Sequence, residues 1–422
     1  MRRLFVTAAT TSLLVIGALS PSAMADETVG CSPDPDHVPV CPAEAQPATA
    51  SFLDPTAVVT GAEHITLGHQ TYVGPFAELR ATDDAPITIG EGSNAQDNVT
   101  VDARGGSGIR VGDHVIMAHG SSVLGTASVG VESSPLPQAV VDAGVDTKND
   151  SVFLSFGAQV DGAVVEVNSG VSALARVAPG VTLPSGLSVL PGKNVTTDAE
   201  AGDPSLGKVR YINQGDVDFN EGVIHVNESL ARSYTELYRE NPTAVLGANV
   251  DPGHTDFNHD RNLPSFAGVE QAQPEFRNRI VGDVDLADSF TRFSKRVGDR
   301  VAIRADEGEP FTIGTVDRMG DDVIFHALEH ADIHVGDGVR YGDGAIVHGG
   351  GRVVLQGQPD EQTVIGDDVR LGDQSVVFRS TIGSYAKVGD RSAVVGTDLP
   401  ARSIVPDNTI ILNGQVFGSV EW

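Results

Sequence analysis

Aliphatic residues recur every six positions along most of this chain, and glycine or another small residue often follows them. One run reads Val111, Met117, Val123, Val129; another reads Val165, Val171, Val177, Leu183, Val189. The second half does the same, with Val335, Tyr341, Val347, Val353 and then Ile382, Val388, Val394. A helix would need apolar spacings of three and four, and a simple half-buried strand a spacing of two. A period of six, with one buried aliphatic residue on each short flat strand, is the repeat of a parallel β-helix. Three hexapeptides then close one coil of about 18 residues. The period changes once, between the two halves. From Asn220 to Arg239, Val223, Val226, Leu230, Tyr234 and Leu237 fall at threes and fours, which predicts an amphipathic helix lying back along the first β-helix.

The two halves are copies. Positions Val73 to Gly125 match the second half at a constant offset of 224 residues: Arg80 meets Arg304, Pro86 meets Pro310 and Asp97 meets Asp321. Three histidines break that match in opposite senses. His326 faces Asp102 in the alignment of the copies, His348 faces Leu124, and His119 faces Asp343. Neither copy holds three histidines, but together they do. His326 and His348 are 22 residues apart, one coil plus a short loop, so both side chains should leave the same face on adjacent turns. A shared face is what a pair of metal ligands needs.

Composition narrows the setting. Arg2 and Arg3 precede an apolar stretch from Leu4 to Leu19 and the small-residue pattern Ala23-Met24-Ala25, which reads as a secretory signal peptide cut after Ala25. The apolar run is short and carries Thr7, Thr10, Thr11 and Ser12, so no membrane anchor is expected. The mature chain is then expected to be secreted. In that oxidising compartment Cys31 and Cys41, the only cysteines, should pair in a small disulfide loop. A formal charge of −29 repels phosphate backbones and anionic lipid, which argues against nucleic-acid and membrane-surface partners. The chain divides into a signal peptide (1–25), a linker with the disulfide loop (26–50), a first β-helix with its helix (51–240), a connector (241–272) and a second β-helix (273–422). His254 and His259 in the connector lack further ligand spacing and read as ordinary loop residues.

Several ordered motifs resemble the γ-class carbonic anhydrases of the hexapeptide-repeat superfamily. LRATDDAPITIGEGSNAQDNVTVDA is similar to that family's Arg, Pro, then Asn-x-Gln-Asp stretch, MAHGSSVLG to its second ligand segment and VNESLARSY to its terminal helix. In the second half, IRADEGEPFTIG and DDVIFHALEH match more closely around the acidic loop and first ligand. The resemblance implies an all-β-dominated fold of two left-handed parallel β-helices in tandem. It also implies a zinc ion, with Fe2+ or Co2+ as alternatives, held between neighbouring units by His326 and His348 from one and His119 from the other. On the same resemblance a zinc-type hydroxide would hydrate CO2 to bicarbonate. Gln96 and Asn94 would orient it, and Glu307 or Glu329 would carry the proton away. The first copy has Asp83 and Gly105 at those two acidic positions. Arg80, Arg304 and Asp306 are expected to form ion pairs at the interface rather than do chemistry. The two repeats should pack as pseudo-subunits with at most one metal site per chain, and whether His119 reaches its partners within or between chains, and whether chains associate, stays open. Two other functions compete: a metal-free β-helix scaffold that kept the histidines as relics, and a hexapeptide acyltransferase using a histidine as general base.

Overall fold

The computed structural model describes residues 30–33, 38–252, 265, 266, 269, 276–307, 310–329, 331–350 and 363–422. The segment read as a signal peptide, and His254 and His259, lie outside them. The chain folds into two left-handed parallel β-helices joined in tandem. Strands of two to five residues stack into three sheets per helix, of nine, six and seven strands in the first and eight, six and five in the second. Pairing between coils is parallel and in register, so each inward column is a stack of like residues. Leu53, Val73, Ala95, Met117, Leu154, Val171 and Val189 form one such column, each at most 1% exposed. At about 4.8 Å between coils, every methyl finds partners above and below. The six-residue spacing of these aliphatics is therefore the core itself.

The corners are held by a second device. In the second β-helix the carboxylate of Asp321 accepts from the backbone N–H of Asp299 one coil away, and the relation repeats through Asp343, Asp373, Asp390 and Asp407 at 2.9–3.1 Å. A glycine precedes each of these aspartates except Asp407, which follows Pro406, and it is required for the same reason. A Cβ on Gly320 or Gly342 would collide with the aspartate carboxylate of the next coil. These corner aspartates thus form a hydrogen-bonding ladder.

The solenoids end where the ladder turns antiparallel: Val40–Cys41 on Ser51–Leu53, Val209–Tyr211 on Leu187–Val189, and Gln415–Ser419 on Thr409–Leu412. Cys31 and Cys41 are disulfide-bonded beside the first of these ends. The long helix runs over Gln214–Glu240, six residues earlier than its apolar period suggested. Asn213 and Asp216 cap its start reciprocally, a polar signal that a search for apolar period passes over. It lies along the first β-helix, as expected. Val226, Leu230, Ala231 and Tyr234 cover Phe52 and Tyr72 there.

The two β-helices pack face to face. One outward column of the second, Ile324, Ile346, Val376, Ala393 and Ile410, is apolar and meets Ala118, Phe156, Ala173 and Leu174 of the first. The corresponding column of the first reads Thr100, Ser122, Gln159, Arg176 and Asn194, which is polar. The same sheet position is buried in one copy and only half-buried in the other. Asn98 also donates to the backbone oxygen of Asp322, its own counterpart, at 3.0 Å.

Candidate metal centre between the two copies

His326 and His348 sit on successive coils, Ile324–Ala327 and Ile346–Gly349, and pair with each other in register. They stand in the outward column next to the apolar one, so the docking of that face buries them. His119 follows the strand Val115–Met117 at a corner of the first β-helix and reaches across the interface. Its Nε2 lies 3.0 Å from Nδ1 of His326, which is 3.3 Å from Nε2 of His348. The three rings are at most 3% exposed. The question left open by sequence is answered in geometry: His119 reaches both partners within one chain.

The far side of each ring is held. Nδ1 of His119 lies 2.8 Å from a carboxylate oxygen of Asp97. Nε2 of His326 lies 3.0 Å from Glu307 and 3.3 Å from Asp306. Nδ1 of His348 lies 2.6 Å from the carbonyl oxygen of Gly349. Such partners fix the proton on the far nitrogen and leave the near one with its lone pair. Once His326 gives up its second proton in favour of a bound metal, three lone pairs converge. A tetrahedral zinc with Zn–N bonds of about 2.0–2.1 Å spaces its ligands about 3.3 Å apart, close to the separations found here. The residues present fit such an ion. Asp306, Glu307 and His326 form a second close group of potential ligands. In that group, however, Asp306 also accepts from Tyr234 at 2.6 Å and pairs with Arg304.

Arg304 joins the two halves of this arrangement. It is 1% exposed and donates to Asp97 at 2.9 Å on one side while pairing with Asp306 on the other. Through two carboxylates one guanidinium therefore steadies two of the three imidazoles. Breaking such a buried network by removing one partner costs about 3–5 kcal/mol. The charges show in the titration of the metal-free site. Burial lowers the pKa of His119 to about 4, against the pull of Asp97. Burial and Arg304 also push His326 down, but Glu307 and Asp306 override them and raise it to about 9. His348 is driven well below its ordinary value by burial and by the other two imidazoles. Burial opposes ionisation of Asp97 and Asp306 as well, and Arg304 overcomes it, holding both below the usual carboxylate range.

Other expected residues fall less simply. Gln96 and Asn94 are 6% and 0% exposed, but neither side chain hydrogen-bonds to the histidines. Asn94 lies in the outward column between Tyr72 and Ile116, and both its amide atoms are buried without a hydrogen-bond partner. Glu307 is 2% exposed and engaged with His326, so in this arrangement it orients a ligand and does not face buffer. Glu329 is exposed, in the turn after the His326 strand. One expectation is corrected. Arg80 is half-exposed and ion-pairs with Glu78 on its own strand, and it is Glu78, not Arg80, that reaches the second copy, at 3.4 Å from Arg300. Sequence reasoning missed the aromatic wall as well. Phe156 stacks on His119 with ring centres 6.0 Å apart, and Phe378 lies 5.3 Å from His348. Phe378 was there to be read, as the next residue in register after His348.

Comparison with known proteins agrees with the motifs. No family model matches the chain. It is 29% identical over 222 residues to a carbonic anhydrase of Methanosarcina thermophila, an alignment covering 47% of this chain and 80% of that protein. The motifs that resemble the γ-class carbonic anhydrases are thus matched by a similarity to a known carbonic anhydrase along about half of the chain. The chain is also 26% identical over 146 residues to the carboxysome assembly protein CcmM of a Nostoc species, covering 32% of this chain and only 23% of that protein. Among solved structures, a hexapeptide transferase family protein from Anaplasma phagocytophilum aligns with 20% identity and a TM-score of 0.30, over 44% of this chain and 93% of that one.

Proposed function

We propose that this chain is an exported γ-carbonic-anhydrase-like metalloenzyme that interconverts CO2 and bicarbonate at one metal site assembled from both copies. The observation that carries the reading is the convergence of three buried imidazole nitrogens, each with its opposite nitrogen already held. Imidazole donors suit zinc and also iron or cobalt. A zinc ion held there would lower the pKa of a coordinated water to about 7, a figure that itself comes from carbonic anhydrase. The protein's own part is to fix the ligands through Asp97, Asp306 and Glu307 and to wall the site with Phe156 and Phe378. The released proton must leave through a group in contact with solvent, and Glu329 is the exposed carboxylate nearest in sequence to a ligand. The signal-like first 25 residues and the Cys31–Cys41 disulfide support export.

A scaffold role without metal is the second reading, and the likeness to a carboxysome assembly protein favours it. Metal analysis with CO2 hydration separates the two. The wild type should carry one zinc-type ion per chain, and His119→Ala and His326→Ala should each lose at least about 100-fold in metal affinity and the activity with it. A metal-free wild type, or a His119→Ala variant that keeps metal and activity, sinks the shared-site reading.

A further inference from the structure

The second β-helix carries a face that the first does not expose. In its five-stranded sheet the outward residues Arg318, Arg340, Arg370 and Lys387 stand in register on four successive coils, and all four are exposed. At about 4.8 Å per coil they form a straight row of cations roughly 14 Å long. In the first copy, 224 positions earlier, Arg318 and Arg340 are matched by Asn94 and Ile116, both fully buried. Ile116 packs there against Val223 and Ile224 of the long helix. A roofed face in one copy is thus an open, charged face in the other. Like charges directly opposite each other on neighbouring strands destabilise a sheet. Partners for them are plentiful in a chain with 57 acidic residues against 28 basic ones. Among the described residues, however, only Arg340 of the four is ion-paired, with Asp317.

The surroundings of the row select the shape of its partner. Three residues to either side, roughly 10 Å along the strand, run corner aspartates: Asp343, Asp373 and Asp390 after it, Asp337 and Asp367 before it. Each of them accepts a backbone N–H from the neighbouring coil. A broad anionic surface, such as a membrane or a nucleic-acid duplex, would lay its charge on both acidic rows as well as on the cations. A single-file polyanion lies on the cations alone, with the aspartates beyond the screening length of about 8 Å in physiological salt. Beside Lys387, the ring of Tyr385 is 53% exposed, with the Arg402 guanidinium 5.3 Å from its centre. An exposed ring next to the cation row offers a flat apolar contact to a sugar ring. The spacing of the coils is also close to the length of one pyranose ring, and the planar fork of arginine takes both oxygens of a carboxylate.

We propose that this row binds a linear acidic polysaccharide with one carboxylate per sugar ring, laid along the solenoid so that about one ring falls on each coil. The proposal is independent of the metal centre. It is tested on the full-length protein with polygalacturonate at about 0.15 M salt, where the repulsion of the overall charge of −29 is screened. Titration calorimetry compares wild type, Arg370→Glu, Arg370→Gln and Arg110→Glu. Arg110 is exposed on another sheet, in the first copy, so its reversal changes the net charge by the same amount. The expected result is an affinity at least about tenfold weaker in Arg370→Glu, a smaller loss in Arg370→Gln and no change in Arg110→Glu, with thermal midpoints unaltered. A wild type that does not bind polygalacturonate overturns the proposal. An equal loss in Arg110→Glu overturns it too, by showing that net charge and not the row is sensed. Binding of polyphosphate or of anionic lipid vesicles as tight as that of polygalacturonate overturns the assignment to a polysaccharide.

Discussion

At the scale of single residues, the site is a set of opposed titrations. His326 has its pKa raised to about 9 in the metal-free fold, so its contribution to stability is full below the unfolded value near 6.5 and is lost as pH rises through 9. His119 has its pKa lowered to about 4, so the fold loses stability as pH falls from about 6.5 towards 4, where the unfolded chain binds the proton and the fold does not. His348 acts with the same sign as His119. Asp97 and Asp306, held low by Arg304, add stability that is present above about 3.9 and disappears below it. The thermal midpoint of chelator-treated protein should therefore peak near pH 6.5 and decline on both sides. A midpoint that rises steadily from pH 6.5 to 9 would contradict the Glu307 and Asp306 contacts to His326.

At the scale of elements, the sequence was most readable where one interaction repeats. The six-residue period marked the inward columns, the 224-residue offset showed that the three histidines stand where the copies differ, and the family resemblance implied that they are ligands. The aspartate ladder was equally periodic, yet a charge count cannot distinguish a solvated carboxylate from one that accepts a backbone N–H. Asp373 accepts from Asp343 and donates its own N–H to Asp390. Asp373→Ala should lower the thermal midpoint by about 2–4 °C through the lost acceptor, while Asp373→Asn keeps it and should stay near wild type. Equal losses in both variants would mean that charge, not the hydrogen bond, matters there. What the sequence could not settle was cover. Arg80 and Arg304 occupy equivalent positions, but only Arg304 lies beneath another part of the chain. The orientation of Glu307 is of the same kind, since it depends on which nitrogen His326 turns inward.

At the scale of the whole molecule, the uneven outward columns explain why the divided histidines work as one site. Ile324, Ile346 and Val376 gain by being covered, and the first copy covers them; Thr100, Ser122 and Gln159 in the matching column gain nothing comparable. That contrast identifies which copy lends its face and which its corner. The C-terminal residues reinforce the same contact. Glu421 pairs with Lys193 at 2.8 Å and Lys208 at 3.3 Å, and Trp422 donates to the carbonyl oxygen of Leu174 at 2.8 Å, all in the first β-helix. Because His119, His326 and His348 meet inside one chain, no association step precedes metal uptake. Zinc occupancy at a fixed free zinc concentration should then be independent of protein concentration across about a hundredfold dilution, whereas a site completed by a neighbouring chain would lose metal as its subunits part. Occupancy that falls with dilution in step with a drop in molecular mass would show that the second chain, and not the second copy, supplies the missing ligand.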